Sequence, residues 1–234
     1  MTDSDPALLK RAAAAKALDY VEDGMKLGLG TGSTAEAFLE VLAARVRGGL
    51  KVVAVATSER TAEKARALGI TLDELDKLAP LDLTVDGADE ADRDLNLIKG
   101  GGGALLREKI VASSSGKMIV IADGSKLVER LGKYPLPVEV IAFGHGTTRV
   151  RIRKSLAQFG YADPAIDLRM KDANPFRTDG NNLIYDCALG SIGDAPALAR
   201  ALSNIPGVVD HGLFVGIATM LIIAREDGVE VIGK

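Results

Sequence analysis

Residues 26–47 have the sequence KLGLGTGSTAEAFLEVLAARVR, and this stretch decides the fold of the first part of the chain. It predicts a short strand over 26–30, followed by a helix over 33–47 that Thr or Ser caps at its start. A continuous apolar run, VVAVA at 52–56, comes next and is typical of a buried strand. The stretch therefore predicts a strand–helix–strand unit.

The same alternation continues to about residue 134. It predicts helices at 7–21, 59–68 and 104–112, and strands at 81–85 and 118–122. Strands and helices in turn imply right-handed crossovers and a parallel sheet covered on both faces. We therefore expect an α/β fold with a Rossmann-like parallel sheet.

The order of elements changes after residue 134. A linker is predicted at 132–137, because Gly132, Pro135 and Pro137 break the pattern. The elements that follow predict a β-α-β-β-α-β order with a central hairpin turn at 178–182, which is typical of a ferredoxin-like α+β domain. The predicted strands lie at 138–143, 165–170, 183–189 and 208–214, and the predicted helices at 147–159 and 196–204.

These patterns give two domains. A final hairpin, formed by 220–224 and 229–232, returns to the first domain. We expect a Rossmann-like catalytic domain over 1–134 and 212–234, and a smaller ferredoxin-like domain over 135–211.

Composition excludes several classes of protein. Among 234 residues, 29 Lys and Arg against 32 Asp and Glu give a net charge of −3, and the chain has no Trp, which disfavours nucleic acid as a partner. The single Cys187 cannot close an intrachain disulfide, and two distant His residues offer little for a metal site. The longest apolar stretch, 215–224, is half of the ~20 residues that span a bilayer. We expect a soluble cytoplasmic protein with no membrane segment and no metal.

Three polar loops that contain glycine follow predicted strands, and such loops lie at one edge of an open α/β sheet. The first, GLGTGSTA at 28–35, lacks the third glycine of a dinucleotide fingerprint, because Ser33 stands there, and it lacks the Gly-Lys of a P-loop. Hydroxyls of Thr31, Ser33 and Thr34 at a helix start favour an anion site, most naturally for phosphate. The sequence does not decide between this site and a turn with a Ser or Thr cap.

The second loop is VDGADE at 85–90, which places Asp86, Asp89 and Glu90 after a strand. An acidic loop is usually a solvated surface, and two further aspartates nearby favour that interpretation. Asp86 differs, because at the strand end beside Gly87 its carboxylate would point into the crevice at the sheet edge.

The third loop contains four glycines, 100–103, between Lys99 and a helix. It predicts a concavity of backbone N–H groups that binds negative charge. The helix carries Arg107, Glu108 and Lys109, and its apolar pattern predicts burial all round without choosing among the three. A weaker element, Asp-Gly-Ser-Lys at 123–126, offers Lys126 as a phosphate partner or is an ordinary turn.

Together these features suit metal-free proton transfer on a small phosphorylated substrate, with a carboxylate base and a Lys that stabilises an oxyanion. The motifs GLGTGSTA, VDGADE, IKGGGGALLREKI, IADGSK, KYPLPVEV and IPGVVDHGLF, in this order, closely resemble the ribose-5-phosphate isomerase type A family over residues 7–232. The resemblance implies interconversion of ribose 5-phosphate and ribulose 5-phosphate in the pentose phosphate pathway. It implies no metal or cofactor, the two-domain fold above, and a homodimer or homotetramer.

The resemblance also implies roles for individual residues. It implies that Glu108 is the proton acceptor. The mechanism that we then expect uses Asp86 or Asp89 to assist ring opening and Lys99 to stabilise the enediolate. The substrate-binding residues that the resemblance implies are Thr31, Gly32, Ser33, Thr34, Asp86, Gly87, Ala88, Asp89, Lys99, Gly100, Gly101, Gly102, Lys126 and Lys10.

Three alternative functions compete with a ribose-5-phosphate isomerase. An amino-sugar-phosphate isomerase or deaminase would release ammonia from glucosamine 6-phosphate. A sugar-phosphate sensor normally carries a basic DNA-binding segment, for which the acidic N-terminus leaves no room. A nucleotide-binding module is disfavoured by Ser33 and by Thr57-Ser58, where an acidic ribose-binding residue would follow the 52–56 strand.

Overall fold

The computed structural model describes residues 5–233. The chain forms two compact units, and the first comprises the residues up to Ala88, Arg107–Leu127 and the residues from Gly216 onward. The second comprises Asp89–Leu106 and Val128–Val215. This division differs from the predicted boundaries at 134 and 212, because the segments 89–106, 128–134 and 212–215 cluster with the second unit. The predicted outer limits, residues 1 and 234, lie outside the described residues.

The elements follow the predicted alternation closely. In chain order the first are α1 (Pro6–Leu18), β1 (Lys26–Leu29), α2 (Ser33–Arg47), β2 (Val53–Ala56), α3 (Glu59–Ala67), α4 (Leu75–Leu78), β3 (Leu81–Asp86), β4 (Glu90–Ala91), β5 (Leu97–Ile98), α5 (Leu105–Ser113) and β6 (Ser115–Asp123). A 3-10 turn (Gly124–Lys126) leads on to β7 (Leu136–Val140), α6 (His145–Gln158), β8 (Ile166–Leu168), β9 (Met170–Lys171), β10 (Asn174–Pro175), β11 (Leu183–Cys187), α7 (Ala195–Ser203), β12 (Val208–His211), β13 (Leu213–Phe214), β14 (Met220–Arg225) and β15 (Gly228–Gly233).

The first unit is built on a six-stranded sheet with the order β15-β14-β6-β3-β1-β2. Five strands run parallel, and β15 closes the edge as the antiparallel partner of β14, so the predicted returning hairpin is confirmed. One face of the sheet packs against α1 and α2, with Ala13 and Phe38 fully buried. A second cluster joins α4 and α5 to the sheet through Leu78, Val111 and Val55. The expectation of a Rossmann-like parallel sheet with helices on both faces is confirmed.

The second unit contains a four-stranded antiparallel sheet with the order β12-β7-β11-β8. This is the order that a β-α-β-β-α-β chain gives when its two helices cover one face, and the predicted ferredoxin-like arrangement is confirmed. A shorter sheet, β13-β5-β4, is formed by strands of two residues each. Such strands are too short to show an alternation of apolar and polar residues in the sequence. It draws the 89–106 segment into the second unit.

Two local predictions in this unit are wrong. The linker at 132–137 overlaps β7, because Pro137 takes a place in the strand and its carbonyl accepts a hydrogen bond from Gly212 N at 2.7 Å. The central hairpin is also more elaborate than one turn. The small antiparallel pair β9-β10 lies between β8 and the turn at 178–182, where Asn181 has a φ of 61°.

The single cysteine tests the packing of the second unit. Cys187 is fully buried on β11, and burial raises the pKa of its thiol to about 12. At about pH 8 only ~10⁻⁴ of the thiol would then be thiolate, the reactive form. We expect a thiol reagent such as Ellman's reagent to leave the native chain unmodified for hours and to modify one thiol at once in denaturant. Rapid reaction of the native chain would show that β11 is not packed as described.

Candidate active site

The loops singled out in the first unit lie at one edge of its sheet. Strands β2, β1, β3 and β6 are neighbours and run parallel, so their carboxyl ends meet there. The loops at 30–34, 86–88 and 124–126 follow three of these strands. The topology therefore brings Thr31–Thr34, Asp86–Ala88 and Lys126 to the same edge, where ligands bind in open α/β sheets.

Asp86 connects two of these loops through its buried carboxylate. Its Oδ1 accepts hydrogen bonds from Thr31 N at 3.1 Å and from Gly87 N at 2.7 Å, and the residue is 0% exposed. Glycine is required at position 30, since a Cβ there would lie 2.1 Å from Asp86 Oδ1. The prediction that Asp86 points inward is supported, and a solvated loop is wrong for this residue.

The hydroxyl of Thr31 points into a cluster of hydroxyl groups. Its Oγ1 lies 2.8 Å from Thr57 Oγ1, donates to Ser58 Oγ at 2.8 Å and lies 3.1 Å from Thr61 Oγ1. Thr61 Oγ1 in turn donates to Gly30 O at 3.0 Å. The hydroxyl of Thr31 is thus held by other hydroxyl groups. Sequence patterns did not indicate this cluster, although Thr57 and Ser58 follow β2 just as Thr31 follows β1.

The start of α2 is open to an anion. Its N-cap is Gly32, with a φ of 108° and no side-chain hydrogen bond, so the predicted Thr or Ser cap is wrong. Ser33 is exposed, and its Oγ accepts a hydrogen bond from Lys10 Nζ at 2.9 Å. Thr34 lies beside the second loop, since a Cβ on Gly87 would be 3.6 Å from Thr34 Cβ. Backbone N–H groups, the helix dipole and an ammonium group therefore favour negative charge here.

Glu108 is the buried member of the charged trio on α5. It is 4% exposed, whereas Arg107 is partly exposed and donates to Glu59 Oε1 at 2.8 Å. The prediction that α5 is buried all round is wrong, because Ile110 is 47% exposed. The apolar neighbours in the sequence did not distinguish Glu108 from Arg107 and Lys109. The packing of α5 on the sheet does, because it buries Glu108 alone of the three.

Lys126 lies in the 3-10 turn after β6 and is half-buried. Asp123 fixes this turn, because its Oδ1 accepts a hydrogen bond from Ser125 N at 3.0 Å. The turn therefore holds Lys126 at the same sheet edge as the start of α2.

The remaining predicted residues lie in the second unit. Lys99 is 2% exposed, its N donates to Gly212 O at 2.8 Å, and its ammonium lies 5.5 Å from the centre of the Phe214 ring. Asp89 is half-buried, and its Oδ2 accepts a hydrogen bond from Gly101 N at 2.8 Å. The glycine segment that contains Gly100, Gly101 and Gly102 therefore has a defined conformation.

Glu90 has a structural role in the second unit. It is buried, and it accepts hydrogen bonds from Gly132 N at 2.7 Å and from Tyr134 N at 2.6 Å. A solvated surface is therefore also wrong for this member of the VDGADE stretch.

Within residues 5–233, no group of three or more His, Cys, Asp and Glu side chains is arranged to hold a metal ion. The helices in that range are also too short or too polar to cross a membrane.

The fold and these loops define an α/β protein whose first unit places an uncapped helix start and the buried Asp86 carboxylate at one edge of a parallel sheet. A family model described as ribose 5-phosphate isomerase A (phosphoriboisomerase A) matches residues 53–228. The chain belongs to this family, and the predictions of the family and of an isomerase are confirmed.

Individual relatives agree with the family model. A ribose-5-phosphate isomerase A of Nitrobacter hamburgensis is 57% identical over 226 residues, which cover 97% of each chain. The solved ribose 5-phosphate isomerase of Plasmodium falciparum is 41% identical with a TM-score of 0.92, covering 97% of this chain and 99% of the other. A D-ribose-5-phosphate isomerase in complex with phospho-erythronic acid is 36% identical with a TM-score of 0.91, covering 98% and 100%.

The anion site can be tested by its affinity for inorganic phosphate. We expect Lys10→Gln to weaken phosphate binding by roughly 3- to 10-fold. The phosphate would lose a charged hydrogen bond from the partly exposed Lys10 ammonium. Isothermal titration calorimetry measures the effect, and Arg11→Gln is the matched control, since Arg11 is an exposed cation next to Lys10 on α1. Equal phosphate affinities for the wild type and Lys10→Gln would show that Lys10 is not part of the anion site.

Proposed function

We propose that the chain interconverts D-ribose 5-phosphate and D-ribulose 5-phosphate by metal-free proton transfer through an enediolate, in the non-oxidative branch of the pentose phosphate pathway. The observation that carries the mechanism is the burial of Glu108, the one carboxylate on α5. A carboxylate that is shielded from water exchanges its proton with the bound substrate rather than with solvent.

The phosphate of the substrate binds at the start of α2. The free first-turn N–H groups of α2 and Lys10, beside Ser33, supply positive potential, and Lys126 at the same sheet edge adds a second ammonium. Gly32, Gly87 and Ala88 place backbone close to the ligand. A solved relative was crystallised with phospho-erythronic acid, a phosphorylated polyhydroxy acid, which supports a phosphorylated sugar as the class of substrate.

The reaction needs the open-chain sugar, and Asp86 or Asp89 moves the ring hydroxyl proton that opens it. Glu108 then removes the proton from C2 of the aldose, and the electron pair moves so that O1 becomes negatively charged. The proton on O2 passes to O1, and Glu108 returns its proton to C1, which gives the ketose. No electron passes to or from the protein, so the balance needs no cofactor.

The charge that develops on O1 and O2 requires fixed donors. Lys99 and the amides of Gly100, Gly101 and Gly102 supply them in this proposal, as a backbone concavity favours negative charge. A buried ammonium strengthens this effect, because the low dielectric around it screens the interaction weakly.

We further propose that the chain acts as a homo-oligomer, a dimer or tetramer, in the cytoplasm. Phe143 is 90% exposed, and Ile141 and Val150 near it in sequence are also exposed, which favours burial against another copy. The single cysteine, Cys187, suits a reducing compartment.

Replacing Glu108 by Gln tests the assigned base. Glu108→Gln keeps the shape of the side chain but removes its basicity, so we expect kcat to fall by roughly 10²- to 10⁴-fold. The assay measures conversion of ribose 5-phosphate with a metal chelator present throughout. Glu59→Gln, on a neighbouring exposed carboxylate, is the matched control and should stay within about twofold of wild type.

Near-normal turnover of Glu108→Gln would show that another group is the base. Loss of wild-type activity in chelator would show that the reaction needs a metal. Ammonia release from glucosamine 6-phosphate without turnover of ribose 5-phosphate would instead favour an amino-sugar-phosphate enzyme.

A further inference from the structure

Arg169, just after β8 in the second unit, forms a two-point ion pair with Asp186 of β11. Its Nε donates to Asp186 Oδ2 at 2.9 Å, and its Nη2 donates to Asp186 Oδ1 at 2.5 Å. Burial alone would lower the pKa of Arg169, but the hydrogen bonds and charge of Asp186 raise it above the usual value. The guanidinium is therefore charged and held in one orientation.

The third nitrogen of the same guanidinium binds the glycine segment. Arg169 Nη1 donates to Gly100 O at 2.7 Å and to Gly101 O at 3.2 Å. A charged donor thus holds two successive carbonyl groups, and the planar fork that makes this possible is specific to arginine.

These contacts fix the direction of two peptide groups. The peptide between Gly100 and Gly101 is held at both ends, by Arg169 at its oxygen and by Asp89 Oδ2 at its nitrogen, 2.8 Å away. Because a trans peptide is planar, the N–H of Gly102 points opposite to the carbonyl of Gly101 and so away from the guanidinium.

Side chains pack closely around the segment as well. A Cβ on Gly101 would lie 2.6 Å from both Asp89 Oδ1 and Tyr134 Oη, and a Cβ on Gly103 would lie 2.4 Å from the ring of Phe176. Arg169 approaches that same ring, with its Cζ 5.9 Å from the centre. The segment therefore has little room to change its path.

We propose that Arg169, oriented by Asp186, is a positioning residue for the segment from Lys99 to Gly102, and that it directs the Gly102 amide and the backbone that carries Lys99. This inference rests on the proposed function, because that function assigns these groups to the enediolate. Arg169 acts through the segment and touches no reacting atom. Sequence patterns gave no sign of it, since Arg169 lies 69 residues from Gly100.

The test compares Arg169→Lys with Arg153→Lys in the same unit. Lysine keeps the positive charge but cannot bridge Asp186 and two carbonyl groups. Arg153 pairs with the exposed Asp163 on the surface, so its replacement is a matched control. For each protein kcat and KM for ribose 5-phosphate are measured, together with the inhibition constants of phospho-erythronic acid and inorganic phosphate.

We expect Arg169→Lys to lower kcat by roughly 10- to 100-fold, because small misplacement of catalytic groups has effects of this size. Binding of phospho-erythronic acid should weaken, whereas inorganic phosphate, which reports the start of α2, should inhibit with an unchanged constant. The Arg153→Lys control should stay within about twofold of wild type in all four quantities.

Wild-type kcat in Arg169→Lys overturns the inference while leaving the proposed function intact. A parallel loss of kcat and of inhibition by inorganic phosphate also overturns it, because Arg169 would then only maintain the fold. An inactive wild type would instead overturn the proposed function, and the inference with it. If Arg169→Lys does not fold, Asp186→Asn is tested in its place. It keeps the shape of the side chain that binds Arg169, and the same results support or overturn the inference.

Discussion

Main-chain amides bound to the carboxylates of the Asp86–Glu90 stretch are the interaction that fixes the glycine-containing loops within each unit. Asp86 binds Thr31 N and Gly87 N, Asp89 binds Gly101 N, and Glu90 binds the amides of Gly132 and Tyr134. Hydrogen bonds from N–H groups to ionised carboxylates are short and strong, at about 1.5–3 kcal/mol each. Three carboxylates in five positions thus hold their own loop and three separate segments of backbone, at 31, 101 and 132–134.

Consequently the site depends on backbone direction as much as on side-chain identity. The Thr31 hydroxyl is hydrogen-bonded to Thr57, Ser58 and Thr61, so the proposed phosphate site uses the N–H groups at the start of α2. The glycine segment likewise offers amides whose orientation Arg169 and Asp89 determine. Glu108 is different, because its proposed role as a base belongs to the side chain, which the packing of α5 shields from water.

Periodicity alone predicted the order of elements well, including the bounds of α2 and the β-α-β-β-α-β order of the second unit. It failed where the outcome depends on tertiary contacts. The N-cap of α2 is Gly32, because the chain takes a positive φ there, and apolar neighbours could not separate Glu108 from Arg107, because burial depends on how α5 packs. The proposed role of Glu108 as the base comes from the motif resemblance. Neither source indicated Arg169, whose partners are distant in sequence.

The most direct measurement of the central claim is a crystal structure of this chain with phospho-erythronic acid bound. The account predicts the phosphate at the start of α2, near Lys10 and Lys126. We expect a carboxylate oxygen of Glu108 about 3–3.5 Å from the carboxyl carbon of the ligand, which takes the place of C2 of the sugar, and this is reacting distance. A phosphate bound elsewhere, or a Glu108 side chain directed away from that carbon, would contradict the account.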